Sequence, residues 1–134
     1  MYLFDTDTIS NVLKKRPSPK LVSKLKILSY EQQYISTITI SEIVYGAMKS
    51  KAPEYHLKNL EQLILPAVNI LPFDSDAAFT YGKIRVELER KGIPLTHADL
   101  QIAAIALIND LVLVTGNIRH FARIDSLKVE NWIK

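Results

Sequence analysis

The sequence predicts an α/β fold: a central, mainly parallel sheet of four to five strands flanked by helices in three layers. Three observations predict it. Short apolar, β-branched runs alternate along the chain with stretches of helical periodicity, the order that builds a parallel sheet through crossover connections. The most strand-like run, Leu111-Val112-Leu113-Val114, shows no polar alternation, as expected of a strand covered on both faces. The helix predicted to begin at Thr96 is apolar nearly all round (Ile102, Ala103, Ile105, Ala106, Leu107) and so belongs deep in the core.

Tyr2-Leu3-Phe4 suits a first strand, and Asp5-Thr6-Asp7-Thr8 suits the turn and helix cap that follow. Thr6 or Asp7 caps a short helix carrying Ile9, Val12 and Leu13. Arg16-Pro17-Ser18-Pro19 ends it, because proline bars helix continuation and restricts the residue before it. From about Lys20 to Tyr30, Leu21, Leu25 and Leu28 recur at helical spacing. Tyr34-Ile35-Ser36-Thr37-Ile38 reads as the second strand, and Thr39 starts a helix through Ile43, Val44 and Ala47 to Lys49 or Lys51. Pro53 opens another helix, with Leu57, Leu60, Leu63 and Ile64 facing inward, and Pro66 closes it. Val68 to Leu71 is a short third strand. Asp74-Ser75-Asp76 caps a long helix with Ala77, Tyr81, Ile84 and Leu88 on one stripe, and Lys91-Gly92 with Pro94 behind it is the stop. The strand at Leu111 ends at Thr115-Gly116-Asn117, and Leu127-Lys128-Val129 forms an edge strand before Trp132. No repeat, linker or low-complexity segment interrupts this order, so residues 1–134 read as one domain.

The hydrophobic fraction of 48% and charged fraction of 23% are those of an ordinary globular chain. The absence of cysteine excludes a disulfide framework and a thiolate metal site. The longest apolar run, Ile102 to Ile108, is too short to cross a bilayer, and no basic segment precedes an apolar one as in a signal peptide. A cytoplasmic protein without membrane contact is expected. The net charge of +3 is mild, but Lys14, Lys15, Arg16, Lys20, Lys24 and Lys26 follow one another with no acid among them. Such a run is either a solvated helix face or a flank for a polyanion such as RNA.

Asp5 closes the first strand, Glu42 lies in the first turn of the helix read from Thr39, and Asp99 in the first turn of the buried helix. Strand ends and the helix starts after them share one edge of a parallel sheet, so these acids are expected to converge there. Clustered carboxylates raise each other's pKa, and a hard divalent cation, Mg²⁺ or Mn²⁺, relieves that repulsion. Such a centre orients phosphate and activates water, which is phosphodiester-hydrolysis chemistry. Thr39-Ile40-Ser41-Glu42 and Thr96-His97-Ala98-Asp99 also match the capping-box spacing, and Asp5 or Asp7 fits an N-cap. Asp74 and Asp76 read as caps only. Between caps and a site the choice stays open on this ground alone.

Four segments carry a resemblance: Phe4-Asp5-Thr6-Asp7-Thr8-Ile9, Ser41-Glu42-Ile43-Val44-Tyr45-Gly46, Ala98-Asp99-Leu100-Gln101-Ile102-Ala103-Ala104 and Val114-Thr115-Gly116-Asn117-Ile118-Arg119-His120-Phe121. In this order the chain resembles PIN domains, specifically the VapC-type toxins of toxin–antitoxin pairs, over essentially its whole length. The resemblance implies a PIN-like α/β/α nuclease that uses Mg²⁺ or Mn²⁺ to cut RNA. It implies Asp5 and Asp99 as the main metal ligands, Glu42 as the second acid, and Thr115 and Asn117 as further site residues. It also implies a homodimer silenced by a small VapB-type antitoxin.

The chain departs from the four-acid version of this pattern, since no carboxylate occurs between Asp110 and Asp125 and Asn117 takes the fourth place. His120 stands where many relatives carry an acid; it and His97 are read as surface or structural histidines. Two rival readings follow from the same residues. Asp5-Thr6-Asp7-Thr8 resembles the D-x-D-x-T motif of haloacid-dehalogenase-type phosphatases, with Asp5 as nucleophile and Asp7 as general acid. That family needs a late carboxylate that Thr115-Gly116-Asn117 does not offer. The other rival is a non-catalytic partner-binding domain whose acids are caps.

Overall fold

In a computed structural model of residues 1–134, the chain runs β1 (Tyr2–Phe4), α1 (Thr6–Val12), α2 (Pro19–Lys26), β2 (Gln33–Ser36), α3 (Thr37–Lys49), α4 (Pro53–Asn59), β3 (Asn69–Leu71), α5 (Ser75–Arg90), α6 (His97–Ile108), β4 (Val112–Val114), α7 (Ile118–Phe121) and β5 (Val129–Glu130). The five strands form one sheet in the order β3-β2-β1-β4-β5, every neighbouring pair parallel. The expected sheet is therefore present with five strands and no antiparallel member.

The strands are short and apolar on both sides because both faces are covered. Successive side chains point to opposite faces, so Leu3 and Leu113 enter one core while Phe4, Ile35 and Val114 enter the other. The first core is built on α6, where Leu100, Ile102, Ala103, Ala104, Ile105 and Ala106 are all buried, and on the Ala77, Ile84 and Leu88 stripe of α5. The alanines let α5 and the sheet approach α6 closely. The second core gathers Ile9, Leu21, Leu60 and Ile64 with Trp132, whose ring meets Tyr2 and Phe4 edge-on at 4.8 and 5.7 Å. Truncating a fully buried residue such as Ile105 or Leu113 to Ala should cost about 2–5 kcal/mol.

Three local expectations are corrected, and one short element was not anticipated. The second strand stops at Ser36, whose hydroxyl accepts the Thr39 N–H at 3.0 Å, so Thr37 and Ile38 belong to α3 and the cap is Ser36, not Thr39. β-branched residues near the start of a helix look like strand to propensity alone; the cap hydroxyl decides. Beyond α4 the helix widens into a π turn at Leu60–Ile64 and then a 3₁₀ turn at Leu65–Ala67. That widening changes the helical phase, so Leu60 and Ile64 are buried while Leu63, expected inward, is 61% exposed. The helix after Pro19 ends at Lys26, short of Tyr30. The one-turn helix α7 has no periodicity long enough to announce it.

Candidate active site

The chain leaves β1 for β2 and β3 on one side, then crosses back to place β4 on the other side of β1. Between the carboxyl ends of β1 and β4 the sheet has its topological switch point, where open α/β sheets hold their sites. Asp5 follows β1 there, as the N-cap of α1, and Thr115 follows β4. The Thr115 hydroxyl donates to Asp5 Oδ2 at 2.8 Å, and the Thr6 N–H donates to Oδ1 at 2.8 Å. Both carboxylate oxygens are thereby oriented, and the residue is only 4% exposed.

Two more acids adjoin it. Asp7 Oδ2 accepts the Gly116 N–H at 2.9 Å, which ties the start of α1 to the turn after β4. A Cβ on Gly116 would meet that oxygen at 2.7 Å, so any larger residue there would have to displace the Asp7 carboxylate. Asp99 sits in the first turn of α6, where the Thr96 hydroxyl accepts its N–H at 3.1 Å. Only that half of the expected capping box forms; the Asp99 carboxylate faces His120 instead, with Nδ1 3.9 Å from Oδ2. His120, read as a surface or structural residue, therefore borders the site. His97, given the same reading, is exposed and has its Nδ1 2.6 Å from the Tyr81 hydroxyl.

Glu42 is placed differently. With Ser36 as the cap it falls in the second turn of α3, not the first, and it is exposed. Its Oε1 accepts from the Thr6 hydroxyl at 2.6 Å, and Thr6 in turn lies 3.1 Å from the buried Thr39 hydroxyl. The threonine after Asp5 thus joins two acids: its N–H holds Asp5 and its hydroxyl holds Glu42. Asn117 precedes α7 without a side-chain cap bond and is exposed, while its N–H donates to the Thr115 hydroxyl at 3.0 Å.

Burial pushes the Asp5 carboxyl up to about 7; the Thr115 bond opposes this, and the charges of Asp7 and Asp99 add to it. Burial also raises Asp99, with the Thr96 hydroxyl and then His120 opposing and Asp7 reinforcing. Glu42 is not among the charges acting on either. No three acidic or histidine side chains close into a ready-made metal cage, so the expected Asp5–Glu42–Asp99 set does not form one compact ligand cluster; Thr6 holds Glu42 at its outer side. A small hard cation does not need such a cage, since it is held by one or two carboxylates with water and phosphate completing its shell. Asp5 is buried, bears no protein cation at salt-bridge distance and lies beside two further carboxylates. That donor set fits Mg²⁺ or Mn²⁺.

The basic run after α1 divides in two. Lys20 Nζ donates to the Asn131 and Lys134 carbonyls at 3.1 and 2.8 Å, and Lys24 Nζ lies 5.1 Å over the Trp132 ring. These two fasten the carboxyl-terminal segment to α2. Lys14 and Lys15 remain exposed beside Thr6 and Glu42. No helix of the chain is long and apolar enough to cross a membrane. The phosphatase reading still lacks its late carboxylate, since Thr115, Gly116 and Asn117 supply none after β4.

A family model described as PIN domain matches residues 2–127. The tRNA(fMet)-specific endonuclease VapC of Salmonella typhimurium is 38% identical over 98% of this chain and 97% of its own. Ribonuclease VapC2 of Rickettsia felis is 36% identical over 100% of this chain and 99% of its own. The fold superposes on the crystal structure of DNA-bound VapBC from Salmonella typhimurium with a TM-score of 0.90 at 37% identity, covering 98% of this chain and 97% of that one.

Proposed function

The chain belongs to the PIN-domain family, and we infer from that premise that it is a VapC-type ribonuclease, the toxin of a toxin–antitoxin pair. VapC nucleases of this family depend on a divalent metal. For this chain we propose Mg²⁺, with Mn²⁺ as substitute, held by Asp5 and Asp99. The observation that supports this most is the buried, doubly oriented Asp5 carboxylate with two acids beside it and no protein cation against it. A cation bound there would neutralise the carboxylates, polarise the phosphate and lower the pKa of water.

The remaining groups have distinct proposed roles. Thr115 and the Thr6 N–H hold Asp5 in one orientation, and Asp7 holds the turn that carries Thr115 and Asn117. Glu42, oriented by Thr6 and open to solvent, takes the proton of the attacking water. His120 brings a titratable nitrogen beside Asp99 at the rim. Asn117 contributes a neutral polar group to the same turn. RNA is the substrate class, and a VapB-type antitoxin and a homodimer are the proposed assemblies, in the cytoplasm where RNA is met. Solved relatives are VapBC complexes, which supports the antitoxin.

The test is cleavage of total cellular RNA by the purified protein with Mg²⁺, with EDTA, and as the Asp99→Asn variant, with circular dichroism as a folding control. Cleavage by the wild type with Mg²⁺ alone is expected. Undiminished cleavage in EDTA, or by folded Asp99→Asn, would refute the mechanism.

A further inference from the structure

A groove of about 400 Å³ runs outward from the site between α1, α3 and α4, a size typical of small-ligand sites. Thr6 and Glu42 form its inner end, so it is continuous with the carboxylates. Lys14 and Lys15 line one wall, and neither takes part in any of the protein's ion pairs. Tyr55 and His56, edge-to-face at 5.3 Å between ring centroids, stand at the other wall, and Tyr55 is 56% exposed.

The floor of the groove includes Gly46, inside the thirteen-residue helix α3. Glycine weakens a helix interior relative to alanine, and here nothing in the fold demands it. A Cβ at Gly46 would meet no atom within 4 Å, and its backbone is not left-handed.

Cations on one wall, aromatic rings on the other and an open floor between them suit a ligand with a phosphate and a flat base. We propose that this groove seats a single-stranded nucleotide of the RNA flanking the scissile phosphate, its phosphate on Lys14 and Lys15 and its base on Tyr55. The inference rests on the ribonuclease reading and adds to it the part of the surface that binds the substrate strand. Stacking on an aromatic ring tolerates any base, and ammonium groups on the backbone read none, so the groove supplies affinity and alignment.

The test is fluorescence anisotropy of the full chain with a short labelled single-stranded RNA in EDTA, so that binding is read without turnover. Cleavage of the same RNA with Mg²⁺ is measured in parallel. Gly46→Leu fills the groove from its open side and should weaken binding about tenfold or more with an unchanged or raised melting temperature. Tyr55→Ala should weaken it about tenfold, and Tyr55→Phe should restore it. Changing both Lys14 and Lys15 to Ala should flatten the slope of log K against log salt by roughly 0.7, the value for one phosphate no longer neutralised. Lys83→Ala on α5, outside the groove, should bind as the wild type does. If the wild type cleaves and the Gly46→Leu and Tyr55→Ala proteins bind as it does, the groove proposal is overturned and the ribonuclease reading stands. The groove proposal is likewise overturned if these changes leave RNA binding intact but release a co-expressed protein partner. If the wild type cleaves no RNA, the ribonuclease reading falls and the groove proposal with it.

Discussion

The amino-terminal turns of α3 and α6 both send an acid toward the same edge of the sheet, and they do so by different means. At α6 the cap is Thr96 and the acid stands three residues on, beside the core, where burial raises its pKa. At α3 the cap is Ser36 and the acid stands six residues on, a turn further out, exposed and held only by Thr6. The local spelling is nearly the same, a threonine followed three residues later by an acid. What differs is where each tetrad lies relative to its helix start: at α6 the threonine is itself the cap, whereas at α3 it lies three residues inside the helix. The acid in the first turn is partly buried and its charge acts on Asp5; the one a turn later stays a solvated carboxylate.

The largest expected effect separates the two acids by activity. If Asp99 holds the proposed cation, Asp99→Asn removes a charged ligand from a group that contributes several kcal/mol of transition-state stabilisation, and cleavage should fall about 10³-fold or more. Glu42→Gln keeps an oxygen to accept the Thr6 hydroxyl and would lose only the proposed base, so the loss should be nearer 10²-fold. Equal losses at both positions, measured as kcat/KM on one RNA, would remove the distinction.

Next comes the consequence of burying Asp5. Its pKa is raised, so between the ordinary carboxylate range and about pH 7 the folded chain binds more protons than the unfolded one. Without metal, stability must therefore fall as pH rises through that window. Asp5→Asn should flatten the dependence and leave the metal-free protein more stable at pH 8 by on the order of 2 kcal/mol. In wild type, added Mg²⁺ should raise the melting temperature more at pH 8 than at pH 6. Urea unfolding with and without EDTA reads all of this; a wild-type profile as flat as the variant's would contradict the placement of Asp5.

The smallest effect tests the caps themselves. Thr96→Val should cost about 1 kcal/mol, as should Ser36→Ala. Thr39→Val, at a buried position that caps nothing, also loses the hydroxyl that meets Thr6 at 3.1 Å and Ser36 at 3.4 Å, so its cost should be about the same. Helix content separates the two: circular dichroism should show loss of helix for Ser36→Ala and none for Thr39→Val, and the reverse would return the start of the helix to where residue propensity alone puts it.

Much of the fold was legible because it follows from period and run length. The five strands, the Ala77–Leu88 stripe and the all-apolar helix before β4 declare themselves by hydrophobic pattern, and both faces of the sheet had to be covered once the strands read as continuously apolar. Boundaries were legible only where a proline, glycine or unambiguous cap stood. At Ser36-Thr37-Ile38 the β-branched run hid the helix start, and past Asn59 no pattern announces a π turn.

The candidate site divides in the same way. Asp5, Glu42 and Asp99 could be nominated from the chain because strand ends and helix starts share an edge in a parallel sheet, and the fourfold run of motifs named the family. Only the tertiary structure decided which acids are perturbed, because a pKa depends on burial and on charges distant in sequence: Thr115 reaches Asp5 across 110 positions and Gly116 reaches Asp7 across 109. It also decided that Lys20 and Lys24 fasten the chain end while Lys14 and Lys15 stay free, and that His120 turns toward Asp99. Local pattern determines which elements form, since helix and strand are properties of neighbouring residues. Which side chains meet at the switch point is a property of the sheet order, and no single stretch of sequence contains it.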